Sequence, residues 1–152
     1  KAKYEIDKES GLIKLDRVLF SSVMYPANYG FIPQTYCDDK DPLDILVLCS
    51  VDVYPMSIVE AKVVGVMHMV DNGEQDDKII AVLKDDPIYG KWRDISDAPK
   101  DIVQRLRHYF WTYKMLPGET SSLAVDIDDV YGREVAHEVI RQSREDYRKN
   151  FG

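Results

Sequence analysis

The chain has 152 residues, 45% of them hydrophobic and 11% aromatic, the size and make-up of about one domain with a buried core. No apolar run approaches the roughly 20 residues that a membrane-crossing helix needs. A net charge of −7 argues against a phosphate-backbone binder, so neither nucleic acid nor a membrane is expected as a partner.

The acidity is concentrated. Residues 38–44 set Asp38, Asp39, Asp41 and Asp44 against Lys40, and residues 71–78 set Asp71, Glu74, Asp76 and Asp77 against Lys78. Each stretch nets −3, so 15 residues supply −6 of the −7 and the remainder is nearly neutral. Charge placed this way needs a local reason.

In chain order, residues 12–20 follow a Glu9-Ser10-Gly11 turn and form a predicted strand. Residues 45–49 are a short continuous apolar run suited to a buried strand. Residues 58–70 are rich in β-branched types, with Gly65 as a bulge candidate, and residues 78–84 make a further strand. Asp71-Asn72-Gly73 between these two is a hairpin signal.

Near residue 96 the period changes. Ser96-Asp97-Ala98-Pro99 carries a capping oxygen and a proline suited to a helix start, and Ile102, Leu106, Phe110 and Tyr113 then recur on one face up to Pro117-Gly118. A second helix is predicted from about Asp129 to the end, with Val135, Val139, Ile140 and Tyr147 inward. Many short strands followed by two helices predict an α+β fold, a small twisted barrel with helices packed outside.

Cys37 and Cys49 form no CxxC pair and fit reduced thiols in a cytosolic protein. His68, His108 and His137 lack the spacing of a zinc site. The carboxylates carry the more informative chemistry. On an extended chain Asp39 and Asp41 project to one side, roughly 6–7 Å apart. Pro42 marks a loop or edge leading into the 45–49 strand, and Asp44 begins that apolar strand, where a bare carboxylate is costly. Two unit charges about 4 Å apart repel by roughly 4 kcal/mol at an effective dielectric near 20. Oxygen-preferring divalent cations offset such repulsion, and an all-carboxylate set favours Mg²⁺, Mn²⁺ or Ca²⁺. Spacing alone fits a solvated acidic loop equally well. The ligand order of an EF-hand is absent.

One ordered series goes further: Lys3-Tyr4-Glu5, Asp16-Arg17, Tyr25-Pro26-Ala27-Asn28-Tyr29-Gly30, Asp39-x-Asp41-Pro42-x-Asp44, Asp71-x4-Asp76-x-Lys78 and Tyr113-Lys114. Spanning residues 3–114, it resembles the soluble (family I) inorganic pyrophosphatases, whose signature is the Asp-x-Asp-Pro-x-Asp element. The resemblance implies a five-stranded OB-like barrel with flanking helices, one domain over residues 1–152, and hydrolysis of pyrophosphate with several Mg²⁺ ions. It also implies a cytoplasmic homo-oligomer.

By motif, Asp39, Asp44, Asp71 and Asp76 match metal ligands, and Glu5 a carboxylate that reaches a metal through water. Asp41 matches the general base. Lys3, Arg17, Tyr29, Lys78, Tyr113 and Lys114 match the residues that hold the two phosphates, and Tyr25 one that orients the carboxylates. Family members usually carry an earlier strand with one more site glutamate, so an amino-terminal strand is expected to be missing. Met56 stands where a glycine is common. A metal- or anion-binding module without turnover and a metal-dependent phosphodiesterase are the competing readings, and the lack of a basic stripe counts against the second.

Overall fold

The computed structural model describes residues 2–18, 25–113 and 125–152. Strands β1 (Ala2–Ile6) and β2 (Ile13–Val18) form a two-stranded antiparallel sheet, with Lys3 opposite Arg17. The second sheet contains β3 (Asn28–Ile32), β4 (Leu43–Leu48), β5 (Ala61–Asp71), β6 (Glu74–Gln75), β7 (Lys78–Leu83) and β8 (Val125–Gly132). Two helices complete the described residues, α1 (Lys100–Thr112) and α2 (Arg133–Phe151), with a 3₁₀ turn at Ile95–Asp97.

Strand β7 lies between β4, to which it is parallel, and β5, to which it is antiparallel. A strand so placed is covered on both faces, and Ile79-Ile80-Ala81-Val82 is correspondingly an unbroken apolar run, fully buried. The period-2 alternation of strands divides the core in two. On one face Leu46, Leu48, Val64, Ile80 and Val82 pack with Leu106, Tyr109 and Phe110 of α1. On the other, Leu43, Ile45, Val47, Val66, Ile79 and Ala81 pack with Ala136 of α2.

The Asn72-Gly73 hairpin forms as predicted, both residues taking the left-handed backbone that a tight two-residue loop requires. Gly65 marks a register shift between β5 and β7, and a Cβ there would stand 2.6 Å from the Tyr131 carbonyl oxygen. Met56 takes φ +71°, which explains why a glycine suits that turn.

Several expectations are corrected. Residues 129–132 belong to β8 rather than to the last helix. The strand was hidden because Asp128 and Asp129 interrupt its alternation where β5 and β8 shift register between Met67 and Met69. The inner stripe of α2 is Ala136, Val139, Ile140 and Ser143, with Tyr147 half-buried and Val135 turned outward. The capping carboxylates before α1 serve the 3₁₀ turn: Asp94 accepts from the Ser96 backbone N–H at 3.0 Å, and Asp97 from that of Arg93 at 2.8 Å. Asp94 also accepts from the Arg133 N–H at 2.9 Å, closing the start of α2 from across the fold. Two strands that the sequence reading left unassigned, β1 and β3, are present. The helix stop at Pro117-Gly118 lies outside the described residues.

Among the described residues the large sheet is open: β3 and β8 lie at its ends and no ladder joins them. The fold is mixed α+β, with α1 on one face of the sheet and α2 on the other. No described helix is long and apolar enough to cross a membrane.

Gly65→Ala must displace the Tyr131 carbonyl, so a loss of about 1–3 kcal/mol is expected in urea unfolding. At Gly30 an added Cβ first meets Ile45 at 3.9 Å, and Gly30→Ala serves as the tolerated control. Equal stability of the two variants would contradict the bulge geometry.

Candidate active site

The site grows from the parallel pair of β4 and β7, whose register sets Asp44 opposite Lys78. Both project to the α1 side, and Asp76 joins them from the turn before β7. The Lys78 side chain is 2% exposed. Its ammonium donates to Asp44, to Asp76 at 2.8 Å and to the Tyr29 hydroxyl at 3.2 Å. It also lies 5.5 Å from the Tyr29 ring centre and 5.7 Å from that of Phe110. Burial alone would lower the Lys78 pKa, but the two carboxylates raise it, so the group stays charged.

One ammonium between two carboxylates leaves a surplus of negative charge. Burial raises the Asp76 carboxyl more than Lys78 lowers it, and Asp44 and Asp71 add to the rise. Asp39 is lifted to about 6, by burial first and then by Asp76, Asp41 and Asp44. The Tyr29 hydroxyl is pushed well up by burial and by Asp44 and Asp76. Asp39, Asp44, Asp76 and Asp77 line a cleft of about 320 Å³ together with Glu138 and Asp146 of α2.

Asp39 and Asp41 do not share a side as the extended-chain reading predicts. Lys40 takes φ +66° and reverses the chain, and the Asp41 backbone N–H donates to the Asp39 carboxylate at 3.1 Å. Asp39 is thereby half-buried toward Asp44 and Asp76, whereas Asp41 is exposed and receives the Lys8 ammonium at 3.0 Å. Thr35 fixes this loop to the sheet, donating to the Ile32 carbonyl and accepting from the Leu43 N–H at 2.8 Å. Pro42 stands immediately before β4, where no ladder bond is required.

The β1–β2 hairpin supplies the remaining cations. Lys3 donates to Glu5 at 2.7 Å and lies 3.5 Å from Asp16, which accepts from Arg17 at 2.9 Å. Lys3 and Arg17 act electrostatically on Tyr25, as does Lys78. Tyr113, which stacks on Tyr109, is raised by burial and by Asp71 and Asp76, with Arg17 opposing. These two tyrosines link the hairpin to the sheet cluster. Lys114 lies outside the described residues.

The structure thus brings Tyr29, Asp44, Asp76 and Lys78 into direct contact, with Asp39, Asp71, Tyr25 and Tyr113 around them. Among the described residues no three His, Cys, Asp or Glu side chains are already gathered as a metal cluster, since Lys78 occupies the space between Asp44 and Asp76. The donor chemistry nonetheless fits a divalent cation: the acids are oxygen-only and carry excess charge that raises Asp39 and Asp76. Sequence reasoning gave no site role to Lys8, Asp16 or Phe110. The Lys3–Arg17 pairing requires β1, and Phe110 is indistinguishable in sequence from core.

Carboxylates that repel one another, backed by lysine, arginine and tyrosine donors, have the mixed charge that handling phosphate groups requires. The family model "Inorganic pyrophosphatase" matches residues 1–148, and the chain belongs to that family. It is 46% identical over 151 residues to soluble inorganic pyrophosphatase 2 of Chlamydomonas reinhardtii, covering 99% of this chain and 77% of that one. To soluble inorganic pyrophosphatase 3 of Arabidopsis thaliana it is 48% identical over 147 residues, 97% of this chain and 66% of that one. Among solved structures, the inorganic pyrophosphatase of Thermus thermophilus matches with TM-score 0.88 and 38% identity, over 97% of this chain and 84% of that one. That of Helicobacter pylori matches with TM-score 0.87 and 39% identity, over 97% and 86%. Hydrolysis of pyrophosphate is the activity that these relatives support.

The raised Asp39 has a consequence for stability. Its folded pKa of about 6 lies above the ordinary value of about 3.9, so the folded state binds more protons in that window and loses stability as pH rises through it. With divalent metal removed by chelator, Asp39→Asn is expected to lose less stability than the parent between about pH 4 and pH 7 in urea unfolding. Parallel profiles would show that Asp39 carries no such cost.

Proposed function

We propose that pyrophosphate is hydrolysed at the Asp44–Asp76–Lys78 cluster, with Asp39, Asp44, Asp71 and Asp76 holding divalent metal and Glu5 reaching it through water. When bound, such ions, Mg²⁺ foremost, lower the pKa of water and neutralise phosphate charge. The observation that carries this reading is the buried Lys78 ammonium held between two carboxylates beside Tyr29, with Lys3 and Arg17 within electrostatic reach.

The chain's own residues then divide the work. Lys3, Arg17, Lys78 and Lys114 offset the charge of the two phosphate groups, and Tyr29 and Tyr113 donate hydroxyl hydrogens to their oxygens. Tyr25 fills the space between the hairpin and α1, 4.8 Å from the Tyr109 ring, and keeps the carboxylates oriented. Asp41, exposed on the loop before β4, takes the proton of the attacking water as the water oxygen bonds phosphorus and the bridging P–O bond breaks. Lys8 holds the Asp41 carboxylate in place until substrate arrives. The same reading takes residues 1–152 as one domain, the larger sheet as a five-stranded OB-like barrel, and the protein as a cytoplasmic homo-oligomer.

Phosphate release from pyrophosphate is expected to require Mg²⁺ and to vanish with chelator. Asp41→Asn should reduce kcat roughly 10²–10⁴-fold while leaving Mn²⁺ affinity unchanged. Near-normal turnover in that variant would remove Asp41 from the role of base.

A further inference from the structure

On the opposite face of the same strand segment lies a second buried carboxylate. Asp76 and Lys78 project toward α1 and into the site; Asp77 between them projects toward α2 and is 7% exposed. Its Oδ2 accepts from the Gln75 side-chain amide at 2.9 Å, and its Oδ1 lies 3.0 Å from Nδ1 of His68. The two atoms stand in close contact without the alignment of a hydrogen bond, and neither has another hydrogen-bond partner.

His68 occupies a particular place on β5. Its neighbour Met67 is the register partner of Lys78, and the carbonyl of its other neighbour, Met69, accepts from the Asp76 N–H at 2.9 Å. The His68–Asp77 pair therefore stands between the two backbone contacts that fix Asp76 and Lys78. The imidazole is itself held, 4.8 Å from the ring of Tyr131, whose hydroxyl donates to Asp128 at 3.0 Å. Asp77 also lines the acidic cleft with Asp39, Asp44 and Asp76, and its charge is felt there, helping burial and the other acids push the Cys37 thiol up to about 12.

We infer that His68 and Asp77 are positioning residues for the metal site: the pair anchors the back of the 75–78 segment, so that Asp76 meets the metal at a fixed place while the Asp77 carboxylate is held away from it. The inference rests on the reading of Asp76 as a metal ligand. Partners that orient ligands in this way typically alter metal affinity by about 10–100-fold when removed.

The test is Mn²⁺ binding to the full chain without substrate, followed by the electron paramagnetic resonance of free ion, alongside thermal unfolding of the metal-free protein. His68→Leu removes the imidazole from the contact and should raise the Mn²⁺ Kd about tenfold or more, with kcat at saturating metal little changed. His68→Asn, which keeps a polar nitrogen near the Nδ1 position, should restore the affinity. Asp77→Ala, which removes the carboxylate instead, should weaken binding as His68→Leu does, and it decides the matter if His68→Leu does not fold. A purely structural pair would lower Tm but leave Kd unmoved. Parental Mn²⁺ affinity in the foldable variants, or equal weakening in His68→Asn and His68→Leu, would overturn the inference. Asp76→Asn separates the two levels: intact affinity there overturns the ligand reading and this inference with it, whereas lost affinity there beside an unaffected His68→Leu overturns the inference alone.

Discussion

The contact on which the site depends is a lysine ammonium, almost fully buried, held between Asp44 and Asp76. Withdrawing ions from water costs several kcal/mol each, and only close, well-directed pairing offsets it. Here the directions come from the backbone. The parallel register of β4 and β7 sets Asp44 against Lys78, and the β5 carbonyl that receives the Asp76 N–H sets the other side. Phe110 and Tyr29 close over the ammonium and exclude solvent. A slip of one residue in β7 would turn Lys78 into the α2 core and Asp77 into the site.

That alternation makes a short stretch of chain serve two faces. Asp76 and Lys78 belong to the cluster with Asp44 and Tyr29, while Asp77 and Ile79 belong to the opposite side, where α2 packs. The same division governs β4: Asp44 begins the face continued by Leu46 and Leu48, and Leu43 and Ile45 face α2. Asp44 and Lys78 are thus built into the apolar strands that form the core, and Asp76 stands in the turn just before β7. Asp39 and Asp41 sit on the loop before β4, where Asp41 is exposed and receives the Lys8 ammonium.

How far the sequence carries depends on the range of the interaction. The apolar runs at 45–49 and 78–84, the Asn72-Gly73 hairpin and the stripe on α1 are local signals, and the structure agrees with them. The acidic clusters are legible from composition as well, and the structure brings Asp39, Asp44 and Asp76 from them to one cleft. Register is not local, and the failures follow from that. Strand β8 is concealed by two acids at a shift that only its pairing with β5 explains. The projection of Asp39 and Asp41 to one side presumed an extended backbone, and the left-handed Lys40 separates them. His68 looked like a lone histidine, since its partner is nine residues away in sequence and adjacent only across the hairpin.

The metal-free fold carries its site as a burden. Asp39 and Asp76 are raised because burial and like charge disfavour their ionised forms, and a single ammonium cannot balance them all. Replacing these acids would relieve the protein at neutral pH, so their presence calls for a gain elsewhere. On the proposed reading a divalent cation would supply it, since each positive charge placed among the carboxylates removes repulsion that the fold otherwise bears. Lys78 holds Asp44 and Asp76 together in the metal-free fold, and the repulsion left over is what a bound cation would relieve.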